Sequence, residues 1–515
     1  MNHKWWALVA VCTGVFMLLI DITIVNVALP SIERDFHASL ADLEWVVSAY
    51  ALTLAAFLLT GGSLADRYGR RVLYAIGIVW FTVFSVLCGV STNPLFLNLC
   101  RAAQGVGGAI MFATSLAILA DAFRGRDRGI AFGIYGAITG IAVAVGPVLG
   151  GALTSGLSWR WIFFVNIPIG IFALGATLWR VEESRNPNAR RTDLPGFVTF
   201  SLALAALVYG LILSVSDGWS DALVDASIVV AGVMFIAFVL VERRSREPML
   251  DLSLLRVPTF NGGLIAAFAI SAGLFALITY ITIYFQDILG LSAIATGVRF
   301  LPITGAMFLT AGFAGRLTNR VPRRWLIAPG FVAIGVGLML MRGLTPASTW
   351  SHLLAGMILA GVGTGFVNVP LVSTAVGVVP PQRAGMASGI NSTLRQAGIA
   401  TGVAALGTIF ASEVRSGVAS HLAGTGLASK SAAISKAITN GTITHAIALA
   451  PAPARAAVEA AIRASFVGGL NSIMLVAAIV SFIGAVLSLV LVREQDFVTV
   501  PHEVSERAEP AAAVA

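Results

Sequence analysis

The sequence predicts an all-helical integral membrane protein of fourteen transmembrane helices, arranged as two six-helix bundles plus two inserted helices. Three observations predict it. Of 515 residues, 57% are hydrophobic and only 11% charged, with a mean hydropathy of +0.89; a soluble chain carries about 25% charge. Uncharged runs recur, residues 72–100 and 129–159 among them. About 20 apolar residues suffice for a helix to cross the hydrocarbon core, whereas a membrane barrel shows short alternating strands. Finally, Gly62-Ser-Leu-Ala-Asp66-Arg67-Tyr-Gly69-Arg70-Arg71 aligns without gaps on Gly315-Arg-Leu-Thr-Asn319-Arg320-Val-Pro322-Arg323-Arg324. The first copy closes the second apolar run and the second copy the tenth. A direct repeat of six helices would place the copy after the eighth run, so two helices are inserted between the halves.

Taken in order, runs at 5–29, 43–64, 72–90, 95–122, 129–153 and 161–181 build the first bundle, residues 1–181. Runs at 194–215 and 223–241 are the inserted pair, within 194–241. Residues 242–259 place Met249, Leu250, Leu252, Leu254 and Leu255 among charges and read as a cytoplasmic interfacial linker. Runs at 260–285, 294–315, 325–341, 353–376, 386–411 and 468–492 build the second bundle, residues 260–492. Its last two runs are separated by an Ala-rich stretch, 412–467. Helical composition at 430–444 and 453–464, with breaks at Gly424, Gly426, Pro451 and Pro453, predicts a short hairpin over the outer mouth. Residues 493–515 read as a disordered cytoplasmic tail.

The net charge of +8 raises nucleic acid as a partner, and its distribution argues against one. Eighteen arginines fall in loops after even-numbered runs, from Arg67 to Arg383. The other side holds Arg34, Arg160, Arg342 and five basic residues in the long loop. The positive-inside rule therefore places both termini in the cytoplasm. Three lysines in an Ala- and Gly-rich chain suggest a GC-rich bacterial genome, hence a bacterial plasma membrane. The three cysteines lie in apolar runs and imply neither a disulfide framework nor a metal site. The first run is too long for a cleaved signal peptide, and a carboxylate interrupts it.

That carboxylate is Asp21. No charge precedes it from residue 5 onward within the run. A carboxylate at the centre of a membrane helix costs roughly 2.5–3.5 kcal/mol on insertion scales. It is retained either to carry a proton or to hold a neighbouring helix, and the stretch alone leaves both open. Arg101 lies about six residues into the fourth run and needs a counter-charge or acceptors of its own.

These residues carry a resemblance. Gly62-x-Leu-Ala-Asp66-Arg67-x-Gly69-Arg70-Arg71 resembles the cytoplasmic loop signature of the major facilitator superfamily. Arg101-Ala-Ala-Gln104-Gly105-Val-Gly107-Gly108-Ala109 resembles its fourth-helix motif. Gly136-x3-Gly140-x5-Gly146-Pro147-x2-Gly150-Gly151 resembles its fifth-helix antiporter motif. The first run, with Asp21, Thr23, Asn26 and Pro30, is similar to the signature of the 14-span drug:proton antiporter branch, as are residues 159–170 and Arg395-Gln396. Asn319 and Pro322 depart from the loop pattern, leaving Asp66 the only acid of the two copies.

The resemblance implies roles. Asp21 and Arg101 would couple protons, with Arg101 near the acid; its depth in the run also fits anchoring at the outer end. Asp66, Arg67, Gly69, Arg70 and Arg71 would form a cytoplasmic gate, the carboxylate pairing with a nearby Arg and offering charge to a helix N-terminus of the other half; the alternative is that the arginines only set the topology. Gly140, Gly146, Pro147, Gly150 and Gly151 would form a hinge and a tight seal. Candidates for the substrate cavity are Asn26, Trp45, Tyr50, Phe57, Gln104, Tyr280, Tyr284, Gln286, Asn368, Asn391 and Arg395. Aromatic rings with a few polar groups suit amphipathic organic compounds, although Trp and Tyr also gather at membrane interfaces. The expected function is proton-coupled export of hydrophobic or amphipathic compounds by a monomer, without a cofactor other than the proton. Transport of another cargo, such as a lipid or metabolite, or uncoupled facilitation is the alternative. No convergent nucleophile, base or metal group speaks for an enzyme.

Overall fold

A computed structural model describes residues 3–497, apart from 124, 186–192, 246, 247, 249, 319, 380–383, 424, 426, 440–446, 448 and 449. The tail beyond 497, Asn319 and several of the counted loop arginines (Arg124, Arg190, Arg191, Arg246 and Arg383) lie outside the described residues.

Fourteen helices are long and apolar enough to cross a membrane. Spans 1 to 6 are Lys4–Phe36, Leu40–Tyr68, Arg70–Gly89, Pro94–Ala122, Ile134–Gly156 and Trp161–Arg180. Spans 7 and 8, the inserted pair, are Leu194–Ser214 and Ala222–Arg244. Spans 9 to 14 are Pro258–Ile288, Ala293–Leu317, Arg324–Met341, Ser351–Leu371, Met386–Leu422 and Arg455–Leu491.

Local chemistry sets several ends. Ser39 caps span 2 in a reciprocal box with Asp42, and Asn93 caps span 4 just before Pro94. Span 2 turns into span 3 through Gly69, whose φ is +118° and where a Cβ would press on the Glu183 carboxylate. Glycine meets both demands. Span 9 carries π-helical turns at Ser271–Phe275 and Tyr284–Ile288, the kind of irregularity that gathers at functional positions.

Spans 1–6 pack among themselves, 2 and 3 against 4, and 5 and 6 against 1. Spans 9–14 do likewise, 10 and 11 against 12, and 11 and 13 against 14. Span 7 lies against spans 2 and 13, so the inserted pair flanks the seam between the bundles. An even number of spans brings both chain ends to one face, called here the terminal face. Lys4 bridges to Asp127 there at 2.6 Å, and the Thr259 hydroxyl donates to Asp496 at 2.7 Å.

The structure extends the last two spans beyond the runs read from the sequence. Each is 37 residues long, or about 55 Å at 1.5 Å per residue, against a hydrocarbon core of about 30 Å. Residues 412–422 and 455–467 therefore continue these two helices. Among the described residues of this stretch, a separate short helix at Ser431–Thr439 packs against span 13, with Ile434 and Ile438 buried.

Candidate functional site

Asp21 is fully buried. Its Oδ2 accepts from Arg101 Nη1 at 2.6 Å, and its Oδ1 accepts from Gln104 Nε2 and Asn166 Nδ2, each at 3.0 Å. Arg101 also donates through Nη1 to Gln104 Oε1 at 2.7 Å and through Nε to the Val46 carbonyl at 3.1 Å. The Tyr50 ring covers its guanidinium at 4.2 Å. Asn166 donates in turn to Ser85 Oγ at 2.9 Å. Spans 1, 2, 3, 4 and 6 thus converge on one carboxylate, and all belong to the first bundle. Of the two placements open for Arg101, the structure shows the direct pair: its long side chain reaches Asp21. The spacing of span 4 puts Arg101 and Gln104 on one face, three residues apart. Asn166 and Ser85 were not among the expected site residues; polar residues inside apolar runs were the signal.

A second set of polar groups joins the bundles. Asn26 Oδ1 accepts from Thr279 Oγ1 at 3.1 Å, and Gln286 Nε2 donates to the Val27 carbonyl at 2.7 Å. Glu44, fully buried on span 2, has Oε1 2.9 Å from the Tyr280 hydroxyl of span 9. Arg34 lies 3.6 Å from Asp287. Spans 5 and 10 meet along the glycines. A Cβ at Gly151 would lie 2.5 Å from the Ala293 carbonyl oxygen, and one at Gly297 would strike the Pro147 carbonyl. Gly146 and Gly150 let span 5 close on Thr23 and Ile24 of span 1. Gly140 faces Phe308 more loosely, at 3.3 Å. Nearer the terminal face, a Cβ at Gly136 or Gly312 would meet nothing within 4 Å. These contacts hold the bundles together toward the face opposite the termini, called here the far face.

The expected cavity residues do not form one group. Trp45 and Phe57 point at the inserted pair, Trp45 6.3 Å from Tyr209 and Phe57 4.8 Å from Phe197. A helix that is apolar all round does not say which neighbour each face meets, and the inserted pair takes this one. Tyr50 belongs to the Arg101 network. Tyr284 packs on Phe466 and donates to the Ser348 carbonyl at 3.3 Å, inside the second bundle. Asn391 reaches the Gly263 carbonyl at 3.4 Å. Asn368 Oδ1 is buried without a hydrogen-bond partner, and Arg395 is half-buried with no acidic partner among the described residues.

The sequence profile described as the Major Facilitator Superfamily matches residues 11–403. The chain belongs to that superfamily. Facilitators are transporters, not enzymes. This facilitator is 37% identical over 424 residues to the puromycin resistance protein pur8 of Streptomyces alboniger, covering 81% of this chain and 84% of that one. It is 32% identical over 497 residues to the tetracenomycin C resistance and export protein of Streptomyces glaucescens, covering 95% and 91%. The multidrug resistance protein Stp of Mycobacterium tuberculosis matches at 37% over 416 residues, 81% of this chain and 77% of that one. A solved bacterial homolog of the human lysosomal transporter Spinster, in an inward-facing and occupied conformation, superposes with a TM-score of 0.64 at 17% identity. That match spans 97% of this chain and 99% of that one, and it carries the fold alone.

In the facilitator's signature loop the expected pairing of Asp66 with a nearby arginine is present, while another carboxylate serves a helix N-terminus. Asp66 accepts from its own loop, from Arg70 Nε at 3.0 Å and Nη2 at 2.8 Å. The carboxylate at a helix N-terminus is Glu183, which accepts from the backbone N–H groups of Arg71 at 3.1 Å and Val72 at 3.2 Å within the same bundle. Arg71 donates to the Leu178 carbonyl, and Arg67 lies over Tyr68. These partners of Asp66, Arg70, Arg71 and Glu183 all lie in the first bundle. Asp66→Asn is expected to lower transport several-fold with near-normal expression, because it removes a loop charge and no core contact. Unchanged transport would leave the loop with topology alone.

Proposed function

We propose that this facilitator is a proton-coupled antiporter that exports hydrophobic or amphipathic organic compounds across a bacterial plasma membrane by alternating access. The observation that carries the reading is Asp21: a fully buried carboxylate with three side-chain donors, in the first span of a transporter. Intramembrane carboxylates of this kind mark proton relays. The named relatives support organic compounds as cargo, since resistance and export proteins predominate among them. Both termini lie in the cytoplasm in this reading, on the positive-inside rule. The joined far face is then the outer one, and the conformation is a stage in which cargo loads from the cytoplasmic side. The direct experiment is an efflux screen over antibiotics and dyes in cells with and without an imposed proton gradient. Export that depends on the gradient supports the reading; export unaffected by its collapse counts against coupling.

The orientation has its own test. In Lys430→Cys, with Cys12, Cys88 and Cys100 replaced by Ala, an impermeant maleimide added to intact cells is expected to label position 430. Protection there, with labelling only after lysis, would invert the topology.

A further inference from the structure

We propose that Glu44 is a second proton-binding site, loaded when the far face closes and emptied when it opens, so that its protonation latches the two bundles together. The proposal rests on the reading of proton-coupled exchange above and adds a distinct residue to it. Glu44 lies on span 2 and is fully buried. Its Oε1 is 2.9 Å from the Tyr280 hydroxyl oxygen, and that same hydroxyl is 2.6 Å from the Val403 carbonyl oxygen of span 13. Both distances are within hydrogen-bonding range for oxygen pairs. A phenol has one proton to donate, and a carbonyl has none. Both contacts are full, unshared hydrogen bonds only when Glu44 supplies the other proton: Glu44 O–H donates to Tyr280 Oη, and Tyr280 O–H donates to Val403. An ionised Glu44 would leave one close oxygen pair without a hydrogen, and would bury a charge without a counter-ion. Its Oε2 has no hydrogen-bond partner, which suits a neutral acid better than a carboxylate. The seat is built for this side chain, because any Cβ at Gly407 would collide with the carboxyl group.

Among the described residues, no basic side chain pairs with Glu44. Span 9 presents Tyr280, and span 13 presents the Val403 carbonyl and Gly407. Arg101 of span 4 is turned to Asp21 and the Val46 carbonyl. Asp42, on Glu44's own helix, is engaged with Ser39. Further titratable groups on this side are Glu33 and Asp287, which line a small cavity with Leu40 and Leu43, with Arg34 beside Asp287.

The site is divided between the moving parts, unlike that of Asp21. Every partner of the Asp21 carboxylate lies in the first bundle, so rocking one bundle on the other leaves that network whole. Glu44 is on the first bundle, and Tyr280 and Val403 are on the second. Opening the far face draws the carboxyl away from Tyr280, which keeps its bond to Val403. Water reaches Glu44, the carboxyl O–H breaks, and the proton passes to water. Closing takes a proton back from the same side, so Glu44 sets when the face closes and adds nothing to the proton stoichiometry of transport.

The test uses the full-length protein in nanodiscs, with spin labels on Leu157→Cys and Val298→Cys, exposed positions at the far-face ends of spans 5 and 10, and the native cysteines replaced by Ala. Asp21→Asn, Glu33→Gln and Asp287→Asn are included so that none of these acids titrates, the last two facing each other across the bundles on the same side. Pulsed electron paramagnetic resonance reads open and closed populations between pH 5 and 9. The open-to-closed ratio is expected to rise with pH by up to about tenfold per unit, the limit for one linked proton, and by less than about twofold over the range once Glu44→Gln is added. The carboxamide donates to Tyr280 without titrating, so that variant stays closed. Tyr280→Phe removes the relay but keeps the ring, and should raise the open fraction at low pH. A Glu44→Gln profile with the same slope as its parent, a parent with no slope, or a Tyr280→Phe profile identical to the parent would each overturn the proposal. The measurement uses neither cargo nor gradient, so a failure of gradient-driven export would remove the antiport reading and leave this result readable.

Discussion

Asp21→Asn is expected to abolish uphill efflux while cargo binding and downhill exchange survive. In the proposed cycle Asp21 takes a proton when the site faces outward and gives it up when the site faces inward. Each charge moved through about 100 mV contributes about 2.3 kcal/mol, and the pH difference adds to it. Asparagine keeps the shape and accepts from Arg101, but carries no exchangeable charge. The substitution also leaves Arg101 without its counter-charge, and breaking a buried pair can cost about 3–5 kcal/mol. Protein level and thermal stability in detergent are therefore read beside transport, and a binding assay separates a folded, uncoupled variant from an unfolded one. Uphill efflux retained in Asp21→Asn would make Asp21 a structural residue.

Gly151→Val should cost nearly as much, for a different reason. A Cβ at 151 would sit 2.5 Å from the Ala293 carbonyl oxygen and 2.6 Å from Ile294 Cα. These are backbone atoms of the opposing bundle, which cannot swing aside, so spans 5 and 10 must part. Overpacking of this kind costs about 1–3 kcal/mol, all of it charged against the state closed at the far face. Transport should fall at least tenfold, with a proton leak in vesicles. Gly136→Ala on the same helix is the contrast. Nothing lies within 4 Å of its Cβ, and alanine is favoured over glycine in a helix by roughly 0.5–1 kcal/mol. It should transport normally. Equal loss in both variants would mean that the helix needs glycine for flexibility and not for close approach.

How much of this was legible in the sequence depended on the kind of signal. Asp21 and Arg101 stood out because a charge inside an apolar run is costly wherever the run packs. Glu44 did not. It falls at the edge of the run 43–64, where a charge costs little and draws no notice. The Ser39 cap starts the helix earlier and carries Glu44 a turn inward to meet Tyr280. Trp45 and Phe57 were misplaced because helical periodicity fixes a face and not its neighbour; the inserted pair occupies that face. The lengths of spans 13 and 14 were hidden because their Ala-rich extensions are less hydrophobic than the membrane-crossing parts yet equally good helix formers. The loop motif gave Asp66 and Arg70, which pair, but not Glu183, which lies outside the motif and takes the helix N-terminus.

The central claim is exchange of cargo for protons, and proton counterflow tests it most directly. Purified protein is placed in liposomes that enclose a pH-sensitive dye and hold a pH gradient, and a cargo found in the efflux screen is added. The account predicts that cargo moves up its gradient while protons cross in the opposite direction, and that neither flux appears with Asp21→Asn. Cargo accumulation that continues at the same rate with the gradient collapsed and no proton movement would contradict it.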